Sequence, residues 1–322
     1  MPRISSMRPA LSTALSSLPS VSSLASWRTL ALVFALLNLK ALPLAWHVRL
    51  FYRMFENWYS RDRVRRSFQS RLTSRSTHPL FEPVSIKSHS PLLEIDYNLH
   101  KSNSTYFADL DESRTALVTK LLIPGLKQGN INLEKEGHRG PLNVILGSVH
   151  TSFHREIKPY ESYEVKSKIL GWDKKWIIIG NWFVRPGRRG KPETLLASAL
   201  SKYVVKKGKF TVAPERCFTT SGWLPARPSS TGISSEEPSI APTPQEGLVS
   251  TIPTSLAPTT DGLVEELESA AGEEPASGAT APGTMDGDWD WYRIEKERLR
   301  GLQMAENWLD LDKQLMEEFA KA

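Results

Sequence analysis

Apolar and polar positions change rhythm along the chain, and each rhythm predicts a different element. Residues 29–46 (TLALVFALLNLKALPLAW) form a nearly unbroken apolar run, interrupted by Lys40 and Pro43. Residues 104–122 place Leu110, Leu117, Leu121 and Leu122 on one face at helical spacing. Ser104 or Asn103 is the expected cap of that helix, and Pro124-Gly125 its expected stop. Residues 83–95 suggest one or two strands, and 96–103 a polar loop. Residues 143–153, 162–170, 176–184 and 194–205 have period-two character with turn residues between them, which predicts antiparallel hairpins. From Trp289 the chain becomes charged, with Tyr292, Leu299, Leu302, Leu309, Met316 and Phe319 recurring at roughly helical spacing. That predicts an amphipathic helix of about 30 residues, packing on the folded domain or on a partner. One helix followed by a meander of strands is an α+β pattern, with the helix covered by the sheet.

Charge divides the 322 residues further. Net charge is +6, but residues 1–75 carry +10, 76–218 carry +8, 219–288 carry −10 and 289–322 carry −2. So uneven a distribution argues against one compact globule. The expected organisation has five parts: a Ser/Arg-rich disordered N-terminus (1–28), a hydrophobic anchor with a basic juxtamembrane helix (29–75), a folded domain (76–218), a disordered acidic Pro/Ser/Thr-rich linker (219–288) and an amphipathic C-terminal helix (289–322). The linker holds nine prolines and few residues able to fill a core. The single cysteine, Cys217, excludes an intramolecular disulfide scaffold and a Cys-based zinc site.

The apolar run is about long enough to span a bilayer, which takes on the order of 20 residues. Trp27 and Trp46 bracket it as interfacial anchors, and Lys40 is placed to snorkel. Arg49, Arg53, Arg61, Arg63, Arg65 and Arg66 follow, interleaved with aromatic residues. That reads as lipid contact through residues 29–66 rather than nucleic-acid binding, for which no motif is present. The Arg-dense flank predicts a membrane-associated protein, at the endoplasmic reticulum, with the folded domain in the cytosol. A mitochondrial presequence and a buried core helix are the alternatives.

Within the folded domain, Asp96-Tyr97-Asn98-Leu99-His100 is followed by Asn103, Tyr106 and the acid-x-x-Arg group Asp111-Glu112-Ser113-Arg114. This pattern resembles hotdog-fold thioesterases of the 4-hydroxybenzoyl-CoA thioesterase type, in which an antiparallel sheet wraps a central helix. The stretch from Glu156 to Phe183 resembles that family's edge turn and two long strands, with Pro159-Tyr160-Glu161-Ser162-Tyr163 in place of its usual Gly-Asp. The whole chain resembles membrane-associated thioesterase-like proteins of animals and filamentous fungi.

The resemblance implies hydrolysis of an acyl-CoA or acyl-carrier-protein thioester without a cofactor. Asp96 matches the family's base or nucleophile, with His100 and Asn103 in catalytic or loop-positioning roles. Ser104, Thr105 and Tyr106 would sit at the helix start, whose N–H groups would hold the oxyanion and line the substrate site. Asp111 and Glu112 are reserve acids, because a second family branch uses a carboxylate on this helix. The resemblance further implies a homodimer with the active site at its interface. Two other readings stay open: a hotdog hydratase or dehydratase, whose D-x-N-P-x-H run is one residue longer than the Asp96–His100 spacing, and a non-catalytic acyl-binding membrane protein. No three histidines fall at metal-ligand spacing with carboxylates, and neither a Gly-x-Ser-x-Gly elbow nor a Gly-rich phosphate loop is present.

Overall fold

The computed structural model describes residues 26–69, 77–187, 190–225, 227 and 289–321. The expected disordered N-terminus and nearly all of the acidic linker lie outside the described residues. Helices α1 (Trp27–Leu37) and α2 (Ala45–Gln69) precede strand β1 (Val84–His89). A long helix, α3 (Tyr106–Lys135), leads into strands β2 (Leu142–Phe153), β3 (Ser162–Trp172), β4 (Trp176–Arg185), β5 (Thr194–Lys207) and β6 (Phe210–Val212). Helix α4 (Pro214–Thr220) and the C-terminal helix α5 (Trp291–Lys321) complete the order.

The sheet is antiparallel throughout, in the order β1-β3-β4-β5-β2, with β6 pairing β5. It wraps α3, which is the hotdog arrangement. Leu110, Leu117 and Leu121 are 0–1 % exposed on α3. Opposite them the sheet contributes Val165, Ile169, Ile177, Ile179, Phe183 and Val205. Burying each such side chain stabilises the fold by about 1.5–3 kcal/mol, which outweighs the weak intrinsic preferences of the individual elements.

Helix α3 does not stop at Pro124-Gly125; it runs through both to Lys135. Pro124 cannot donate to the carbonyl one turn back, yet Leu133 beyond it is 2 % exposed, so continued helix is repaid by core burial. Gly125 is required there: a Cβ would stand 2.5 Å from the Ser221 amide nitrogen. Immediately after, Trp223 is buried, and its indole N–H donates to the Leu121 carbonyl at 2.6 Å.

The apolar run is not one spanning helix. Among the described residues no helix is long and apolar enough to cross a membrane. The run divides into 11-residue α1, a short turn at Leu39–Ala41 and the start of α2, with Pro43 followed by Leu44 at φ 67°. Lys40 does not snorkel to an interface; it is drawn into the folded domain.

Helix α5 packs back on the domain, against β3 and β4. Its contact face matches the expected stripe in part: Leu302 and Leu309 pack on the sheet beside buried Ile294, Gly301 and Ala305, whereas Tyr292 and Phe319 are exposed. Small residues make this contact because the helix backbone approaches the bulge at Leu170 and Gly171 closely. A Cβ on Gly301 would collide with the Leu170 carbonyl, and one on Gly171 would lie 2.5 Å from the Arg298 carbonyl oxygen.

Candidate active site

The Asp96 loop is a closed turn. Ile95 and Lys101 form a bridge across its neck. The Asp96 N–H donates to the His100 carbonyl at 3.0 Å, and the Leu99 N–H to the Asp96 carbonyl at 3.0 Å. The Asp96 carboxylate accepts the Asn98 N–H at 2.9 Å, an Asx turn that suits this residue type, and Leu99 takes φ 61° to close the loop. The five-residue spacing therefore brings Asp96 and His100 together, with Oδ1 3.6 Å from Nδ1. Both side chains are about one-fifth exposed, so a water or a substrate atom can reach them.

Asn103 and Ser104 do not cap α3 with their side chains. Asn103–Thr105 instead form a 3-10 turn that feeds the helix. The turn takes up the N–H groups of Thr105 and Tyr106, which donate to the carbonyls of Ser102 and Asn103. Asn103 and Ser104 face solvent, and Thr105 is half-buried with its hydroxyl donating to the Ser102 carbonyl. Tyr106 is buried between helix and sheet, its ring 5.0 Å from Phe153 and 4.8 Å from Phe183. Burial, then the nearby carboxylates of Asp109, Glu161 and Asp96, hold its phenol above the ordinary range.

The two reserve acids are engaged elsewhere. Asp111 pairs with Arg114 at 2.6 Å. Glu112 is held by Arg49 at 2.6 Å and Arg53 at 3.1 Å, both from α2.

Sequence reasoning missed the charged cluster that supports the loop. Asp109 is fully buried on the first turn of α3. Lys40 reaches it at 2.8 Å and Glu94 at 2.9 Å; Lys101 reaches Asp109 at 3.0 Å and Glu94 at 2.5 Å. Tyr163 donates to Asp109 at 2.5 Å, and Ser88 at 3.2 Å. Two ammonium groups thus face two carboxylates, the arrangement that makes buried charge tolerable. Burial alone would push the Asp109 carboxyl up, but Lys40 and Lys101, with the Lys40 and Tyr163 hydrogen bonds, hold it well below the usual carboxylate range. Lys101 directly follows His100 and Glu94 lies two residues before Asp96, so the cluster fixes both ends of the loop. The one available signal was Lys40, a lone charge inside an apolar run.

A shallow apolar groove lies along the second half of α3, lined by Leu122, Leu126, Leu133, Val144, Val205 and Val212. Cys217 is on its wall, and burial pushes that thiol up to about 11. At 1.5 Å per helical residue, Leu126 is about 30 Å along α3 from Tyr106, so this groove is remote from the Asp96 loop.

Comparison with known proteins agrees with this architecture. Residues 91–214 match the model of the "Thioesterase-like superfamily". Thioesterase lcsJ of Purpureocillium lilacinum is 36% identical, over 92% of this chain and 94% of the relative. A probable thioesterase of Emericella nidulans, atnL, is 36% identical over 60% of this chain and 70% of its own. Among solved structures, the probable thioesterase YbaW of Escherichia coli aligns with 43% of this chain and 96% of its own, at 15% identity and a TM-score of 0.33.

Proposed function

The chain belongs to the thioesterase-like superfamily, and on that premise we propose that it hydrolyses an acyl thioester to a free acid and a thiol, with Asp96 as base or nucleophile. The observation that carries this reading is the Asp96–His100 pair, 3.6 Å apart on a closed loop just ahead of the N-terminus of α3. A carboxylate there can take a proton from water or attack the thioester carbonyl itself. In this reading the positive end of the helix stabilises the negative charge that grows on the carbonyl oxygen. The C–S bond then breaks and the departing sulfur takes up a proton; where water attacked, the acid is released directly, and where the carboxylate attacked, a water then hydrolyses the mixed anhydride to the acid and restores Asp96. The +8 charge of residues 76–218 suits a carrier with phosphate groups, either CoA or the phosphopantetheine arm of an acyl-carrier protein. A homodimer is part of this reading, because among the described residues β2 ends the sheet with an unpaired edge.

The test is release of free thiol from acyl-CoAs of graded chain length by the purified full chain. Asp96→Asn and Asp96→Ala are expected to lower kcat by about a hundredfold or more. The residue lies on an exposed loop, so folding is preserved. Full activity in both variants removes Asp96 from the chemistry. Hydration of a 2-enoyl-CoA without hydrolysis identifies a hydratase, and binding without turnover an acyl-binding protein.

A further inference from the structure

Helix α1 has no buried residue. Trp27, Leu30, Leu32, Val33, Phe34, Leu36 and Leu37 are all exposed, so it is apolar around its circumference rather than along one stripe. Its hold on the domain is at its C-terminal end. Asn38 is fully buried, and its Oδ1 accepts the Leu93 N–H at 2.9 Å. Two residues on, Lys40 enters the ion cluster. Helix α2 continues the surface. Arg49, Arg53 and Asn57 bind α3 on one face, while Val48, Phe51, Tyr52, Phe55 and Tyr59 are exposed on another. Asn38 holds the segment that leads into the Asp96 loop, and this stretch exposes Leu92, Leu93, Tyr97 and Leu99.

We propose that α1, the outer face of α2 and the Asp96 loop form one docking surface that seats in a single leaflet of an anionic bilayer, and that the acyl chain of the substrate enters from that leaflet. The second half rests on the thioesterase reading; the first does not.

The surface is matched to lipid in three respects. A protein partner or a second copy would cover one stripe of α1, whereas a helix apolar on all sides calls for a surrounding that is apolar on all sides. Eleven residues make a helix of about 16 Å, roughly half of a hydrocarbon core about 30 Å thick, so α1 is accommodated within one leaflet. The flanking charge is complementary to anionic headgroups. No acid precedes Glu56, Arg28 stands at one end, and the later turns of α2 carry Arg61, Arg63, Arg65 and Arg66. Basic residues beside an apolar helix are drawn to an anionic leaflet. An acyl thioester divides along the same boundary, with its chain in the leaflet and its phosphate-bearing carrier in water.

Flotation of the full chain with vesicles of phosphatidylcholine, with and without phosphatidylserine, tests the docking. The chain is expected to float with the phosphatidylserine vesicles and at least tenfold less in the Leu32→Asp/Phe34→Asp double variant, whose melting curve matches wild type because both positions are exposed. Quenching by brominated lipids should fall in Trp27→Phe, which places Trp27 among the acyl chains. Docking is overturned if wild type does not float or if the double variant floats equally. It is also overturned if the same substitutions instead abolish self-association, giving the surface to a second copy, or if floating requires removal of residues 1–25, giving it to the chain's own N-terminus. The delivery half is read from rates. Phosphatidylserine vesicles should raise hydrolysis of a long-chain acyl-CoA several-fold in wild type and not in the double variant, and leave a short-chain acyl-CoA unaffected. Flotation with an unchanged long-chain rate overturns delivery and leaves docking. Flotation with no hydrolysis of any thioester overturns the thioesterase reading, and delivery with it.

Discussion

His78 is 1 % exposed, and its Nδ1 accepts the Leu80 N–H at 3.2 Å. Its ring lies beside Phe81 and Trp289. Burial pushes the imidazole down to about 4. An unfolded histidine takes up its proton near pH 6.5, so between that pH and about 4 the unfolded chain binds more protons than the folded one. Stability is therefore expected to be full above about pH 6.5 and to fall on acidification by about 1.4 kcal/mol per pH unit, roughly 3 kcal/mol across the window. Urea unfolding at steps between about pH 7 and 4 should show this slope, and His78→Gln should flatten it. His89, also lowered by burial and then by Lys40, keeps a residual slope in the same range. An equal slope in wild type and variant would remove His78 as the cause. Asp109 acts in a separate window, because its contribution is lost only as pH falls below the usual carboxylate range. Residue-scale legibility followed sequence distance. Asp96 and His100 could be read as a pair because five residues close one turn. Lys40, Glu94, Lys101, Asp109 and Tyr163 could not, because no local pattern joins positions spread over more than a hundred residues.

At the scale of elements, the contact between α5 and the sheet turns on two glycines. Gly301→Val is expected to lift α5 from β3, because the obstacle is the Leu170 carbonyl, and backbone cannot rotate aside as a side chain can. Expected outcomes are a stability loss of about 1–3 kcal/mol and faster proteolysis within α5, measured against the exposed-site control Leu315→Ala. Unchanged protease resistance would show that α5 is held by other contacts. The four long strands were legible because sheet faces alternate between core and the opposite side, leaving a period of two in the sequence. The end of α3 was not. Pro124 and Gly125 are local stop signals, overridden by burial of Leu133 and by the fit of Ser221 against Gly125. β6 and α4 escaped because three and seven residues are too short to establish a period.

For the molecule as a whole, β2 is the exposed boundary. Val144, Ile145, Leu146 and Phe153 on this 12-residue strand are 37–46 % exposed. Among the described residues no strand pairs its outer edge, and a long apolar edge invites another strand. Pairing with β2 of a second copy would satisfy both edges, so light scattering of the full chain in detergent should report twice the monomer mass. Ile145→Lys with Leu146→Lys should return it to one, since charge on an edge blocks such pairing. A monomeric wild type would rule out this dimer.

Lys40 also sets a clock. Its hydroxyl partner, Tyr163, lies 123 residues downstream. At the usual pace of synthesis, about 5–20 residues per second, roughly 6 to 25 s separate the two residues as they are added. During that interval the ammonium of Lys40 precedes the strand whose tyrosine it will meet. Lys40 must therefore keep its charge in water until Glu94, Lys101, Asp109 and Tyr163 have all followed it, so the buried ion cluster cannot close before β3 has been made.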